Sequence, residues 1–116
     1  SWTNDGGFNS IYSEQMLAWL QPGDALVGFS VHGGSGAGDA GPWSQNLVRA
    51  MKAAKDGGAH VLSFSGFDGG AMAEMSDFCL TVPIFTEDLG TPLVESIHVL
   101  LHHVIVHTLR ERIRLE

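Results

Sequence analysis

Short apolar runs alternate with amphipathic stretches along most of this chain. Ala25-Leu-Val-Gly-Phe-Ser-Val31, His60-Val-Leu-Ser-Phe-Ser65 and Phe78-Cys-Leu-Thr-Val-Pro83 are apolar on both faces. That pattern belongs to strands covered by helices on each side. Between them the spacing turns helical. Ile11, Tyr12, Met16, Leu17 and Leu20 predict a helix over 10–20, ended by Gln21-Pro-Gly-Asp24. Leu47, Val48, Met51 and Ala54 predict another over 45–56, closed by Gly57-Gly58. A short helix is expected over 71–75 after the turn Phe67-Asp-Gly-Gly70, and residues 1–9 read as loop. The order is helix, strand, helix, strand, short helix, strand, helix. It predicts an α/β domain of three layers, a parallel sheet with helices on both faces, in the flavodoxin or Rossmann manner. Three fully buried strands make a thin sheet, so more sheet is expected than the chain supplies.

The last helix, from Leu93 to about Arg114, is apolar nearly all round. Such a helix is buried. In so small a domain, burial on every side predicts a homodimer or homotetramer packed through residues 93–114. Glu95, His98, His102, His103 and His107 punctuate it. At 100° per residue Glu95, His98 and His102 share one face, while His103 and His107 lie on a neighbouring one. Glutamate with histidine suits zinc binding or general acid–base work.

The glycine- and serine-rich stretch from Gly28 to Asn46 runs from the end of the first strand to the start of a helix. Free backbone N–H groups and the helix dipole make such a loop an anion site, read here as a phosphate cradle. Ser44 is a residue type suited to capping that helix. Composition narrows the picture. The chain has 116 residues, 44% hydrophobic and 16% charged, enough for one packed domain. Its net charge of −7 argues against a nucleic-acid surface and leaves a phosphate ligand open. The single cysteine, Cys79, cannot form an internal disulfide, which fits the cytoplasm. No apolar run is read as long enough to span a membrane.

Four segments, in this order, resemble the sugar isomerase (SIS) domain, and most closely the phosphoheptose isomerases. They are Asn4-Asp-Gly-Gly-Phe-Asn-Ser-Ile-Tyr-Ser13, Pro22-Gly-Asp-Ala-Leu-Val-Gly-Phe-Ser30, Gly66-Phe-Asp-Gly-Gly-Ala-Met-Ala-Glu-Met-Ser-Asp77 and Glu95-Ser-Ile-His-Val-Leu-Leu-His-His103. The resemblance implies interconversion of sedoheptulose 7-phosphate and D-glycero-D-manno-heptose 7-phosphate. It implies that Asn4 and Asp5 contact the sugar and that Ser30 opens the phosphate loop. The family's loop reads Ser-Thr-Ser-Gly-Asn-Ser. Here His32 stands at the third position, and a stretch of about nine further residues precedes the helix. The last loop serine is then Ser35 or Ser44; Ser44 is preferred, because Ser44-x-Asn46 stands at the helix start as the family's Ser-x-Asn does. On the last helix Glu95 falls on the family's glutamine and His103 on its histidine, both ligands of substrate or zinc. The resemblance therefore moves the choice of catalytic and metal residues to Glu95 and His103.

The family's domain begins with further helices and a strand, followed by a helix bearing another His and Glu. None of these segments is present here, so the chain is expected to be the C-terminal part of a longer protein. The alternative to an isomerase is a non-catalytic SIS module that binds a phosphosugar or a protein partner. A His-x-x-x-Glu helix upstream would favour catalysis.

Overall fold

A computed structural model describes residues 2–34, 44–86 and 88–115. The elements are α1 (Trp2–Gly6), a 3-10 turn (Phe8–Ser10), α2 (Ile11–Leu17), β1 (Ala25–Ser30), α3 (Gln45–Asp56), β2 (His60–Gly66), α4 (Gly70–Met75), β3 (Phe78–Val82) and α5 (Gly90–Leu115). The three strands form one parallel sheet in the order β1-β2-β3. Phe29 stands opposite Phe64, and Ser30 opposite Ser65. The expected alternation and parallel pairing are both present.

Helices cover the two faces of the sheet differently. On one face Met51, Ala54 and Met72, from α3 and α4, pack with Ala59 and Val61 into the hydrophobic core, and Met16 and Leu20 close it from the α2 side. On the other face α5 rests on β2 through Val94 and His98, both buried. Gly66 permits that approach, since a Cβ there would lie 2.7 Å from both the Val31 carbonyl oxygen and Val94 Cγ1. Asp77 ties the N-terminal ends of the strands together. Its carboxylate accepts the Val61 N–H at 2.7 Å and faces Lys55 Nζ at 3.3 Å.

Four expectations change. Residues 1–9 are not simply loop: α1 and the 3-10 turn form there, held by the Ser10 hydroxyl donating to the Gly6 and Gly7 carbonyls at 2.8 and 3.0 Å. Asn, Asp and Gly are weak helix formers, so propensity gave no sign of it. Second, β1 is an edge strand and is not buried on both faces; Val27 is 48% and Phe29 41% exposed. Third, α5 is docked only along its first half. Val99, Leu100, Val104 and Leu109 are exposed within this chain. Fourth, at 26 residues and a mean hydropathy of 1.2 over its best 18-residue window, α5 is long and apolar enough to cross a membrane by length and composition. The helix starts at Gly90, three residues before the expected Leu93.

Candidate functional site

A cavity of about 410 Å³ opens beyond the C-terminal end of β1. In open parallel sheets ligands bind outside the carboxyl ends of the strands. One wall is the loop after β1, with Ser30, Val31 and His32, and Ser44 at the entry to α3. The other is the first half of α5, with Thr91, Glu95 and His98; Phe29 lies between them. A second hollow of about 370 Å³ shares Phe29, Glu95 and His98 and adds Val99 and His102.

The loop wall is built from serines and glycines. The Ser30 and Ser44 hydroxyls are hydrogen-bonded at 2.8 Å, and Ser30 Oγ also accepts the Gly33 N–H at 3.1 Å. Ser44, at φ 53°, makes no side-chain cap on α3. The expected cap is therefore replaced by the bond to Ser30, and the helix start is closed by the Ser44 carbonyl, which accepts Leu47 N–H and Val48 N–H. The pairing brings Ser44, the preferred last loop serine, beside Ser30. Ser35, the other choice, lies outside the described residues, as does the rest of the inserted stretch up to Trp43.

The loop is braced against the turn after β2. The Gly33 and Gly34 carbonyls accept the Met72 and Ala71 N–H groups at 2.7 and 3.2 Å. Gly70, at φ 55°, lies so close that a Cβ would collide with the carbonyls of His32, Gly33 and Gly34. The turn after β2 thus has positive φ at Phe67, Gly69 and Gly70 and seats the loop after β1. His32, on the cavity wall, stacks on Phe67, ring centroids 4.9 Å apart and planes 18° from parallel. Phe67 is itself held at φ 50°.

On α5 the helical face read from spacing alone is the one that meets the cavity. Glu95, His98 and His102 line one groove. His103 does not line either hollow; it is exposed and touches the His102 ring at a centroid distance of 5.1 Å. Eight residues of helix separate Glu95 from His103, about 12 Å along the axis. Among the described residues no group of three His, Cys, Asp or Glu could hold a metal. The residues present do not form a zinc site by themselves. Asn4 and Asp5 also stand apart: both are exposed on α1, bonded to each other at 3.1 Å, and border neither hollow. Thr91, Phe29 and His98 were missed as site residues. Strand alternation marks Phe29 for the α5 face, and the helical stripe already contained His98.

No family model matches the chain. Curated relatives do. It is 33% identical over 105 residues to the phosphoheptose isomerase of Crocosphaera subtropica, covering 90% of this chain and 47% of that protein. Among solved structures, the phosphoheptose isomerase of Neisseria gonorrhoeae superposes with a TM-score of 0.74 at 34% identity, over 89% of this chain and 51% of that one. The chain is a relative of the phosphoheptose isomerases. It is also 48% identical to the lincomycin biosynthesis protein LmbN of Streptomyces lincolnensis, over 90% of this chain and 37% of that protein. The chain spans about half the length, or less, of the curated relatives it matches. Over most of its length the chain shares the fold of that Neisseria gonorrhoeae protein.

Proposed function

We propose that this chain carries the phosphate loop and one wall of the active site of an aldose–ketose isomerase acting on a phosphorylated sugar of the heptose phosphate type. The observation that carries the reading is the Ser30–Ser44 hydroxyl pair facing Glu95 across one cavity at the mouth of a parallel sheet. Serine hydroxyls and loop N–H groups bind the phosphate, and that anchor holds the reacting carbons in place. Isomerisation removes a proton from the carbon beside the carbonyl and returns it to the neighbouring carbon through an enediol. Glu95 is the carboxylate on the cavity wall able to carry that proton. His103 is given no step here, since it lines neither hollow. Residues outside this chain would supply the remaining acid and base.

The test is turnover of sedoheptulose 7-phosphate by the full-length protein. Conversion to the aldose is expected, with Glu95→Gln lowering kcat by about 10²-fold or more. Absence of any conversion by the unaltered protein would sink the reading. A rise in melting temperature with the sugar phosphate but no conversion would leave a binding module instead. We further propose that the exposed apolar side chains of α5 meet a second copy of the chain in a homodimer or homotetramer.

A further inference from the structure

His98 is the histidine that this fold buries. It is 5% exposed, and the rings of Phe29 and Phe64 meet its ring edge-on at centroid distances of 6.1 and 6.0 Å. Its Nε2 lies 2.9 Å from the backbone carbonyl oxygen of Ser65, near the C-terminal end of β2. A carbonyl only accepts, so Nε2 carries the hydrogen, and in the neutral ring Nδ1 carries the lone pair. Nδ1 bonds to none of the described residues, yet no buried polar side-chain atom among them lacks a partner. The His98 ring lines both hollows, beside Phe29 and Glu95.

The two walls of the cavity then differ in hydrogen-bonding sense. The loop wall offers the hydroxyls of Ser30 and Ser44. The helix wall offers acceptors, the Glu95 carboxylate and, one turn on, His98 Nδ1. A phosphate needs donors, while sugar hydroxyls can donate to acceptors. We propose that His98 is a sugar-binding residue of this site, its Nδ1 accepting a hydrogen bond from a hydroxyl on the carbon chain of a sugar phosphate whose phosphate lies against Ser30 and Ser44. The inference rests on the isomerase reading and adds the direction in which the substrate lies. The Ser65 bond and the two aromatic edges fix the ring before binding, so little order is lost when the hydroxyl arrives.

Imidazole nitrogen NMR on the full-length protein tests this without turnover. Long-range proton–nitrogen spectra are expected to show His98 in the Nε2–H form. Sedoheptulose 7-phosphate should shift its Nδ1 resonance. Inorganic phosphate should move the Ser30 and Ser44 amides and leave Nδ1 in place. His98→Gln keeps a donor for the Ser65 carbonyl and loses Nδ1. It should weaken sedoheptulose 7-phosphate binding about tenfold and leave inorganic phosphate binding unchanged. An Nδ1–H ring, an Nδ1 resonance unmoved while the loop amides respond, or equal weakening of both ligands would overturn the assignment. If His98→Gln fails to fold, the spectra of the unaltered protein still decide. A shifted Nδ1 with no product formed would retain the sugar contact and remove the isomerase reading. If the sugar phosphate moves neither Nδ1 nor the loop amides, both fall.

Discussion

Ser44 shows how a residue type can be read correctly for the wrong reason. A serine before a helix suggests a side-chain cap, but here its left-handed backbone turns the hydroxyl toward Ser30. Only the neighbouring loop decides between those two partners. His103 is the converse case. Matching residues to a family pattern selected it, while the plain helical angle selected Glu95, His98 and His102, which share the groove. The angle identifies the side chains of that groove because one face of a helix meets the strand it packs on. Asp77 was legible only as a polar residue before a strand. Its partners come from β2 and α3, distant in sequence. The Val61 N–H first, and then Lys55, hold its carboxyl below the ordinary carboxylate value, against a smaller opposing effect of desolvation. A lowered pKa contributes stability above the ordinary value of 3.8, and that contribution disappears as pH falls through the folded-state value. Asp77→Asn should therefore melt lower than the unaltered protein at pH 7, and the gap should close below about pH 4 in melting curves recorded across pH.

At the level of elements, the strands and the two long helices were legible because their apolar patterns are long and uninterrupted. The short α1 was not, since its stability comes from Ser10 closing its end and not from its own residues. The glycines after β1 read as part of an anion cradle and those after β2 as a turn. Their shared role emerges only when the loop after β1 and the turn after β2 meet backbone to backbone. Gly70→Ala would force a left-handed alanine against three carbonyls that cannot swing aside. It should cost about 2 kcal/mol or more of stability by chemical denaturation. Because Gly70 seats the phosphate loop, the refolded variant should also bind sugar phosphate more weakly.

For the molecule as a whole, α5 is the element with most left unpaired. Its first half lies on the sheet, and beyond that Val99, Leu100, Val104 and Leu109 project from the chain. The proposed homodimer or homotetramer would cover this apolar row. Light scattering should give an oligomeric mass for the unaltered protein. Leu100→Glu together with Val104→Lys should move that mass toward the monomer; an unchanged oligomer would mean that α5 is not the contact. The sequence alone determined the elements, their alternation and hence the parallel sheet, because apolar period is a local property and a strand–helix–strand order leaves few ways to bury it. It also placed a glycine- and serine-rich loop at a strand end. Tertiary structure decided which side chains share the cavity: Ser44 with Ser30, and Glu95 with His98, but neither Asn4 nor His103. Those choices depend on where separate elements cross. Spacing along one helix or loop carries no information about the partner that approaches it from another part of the chain.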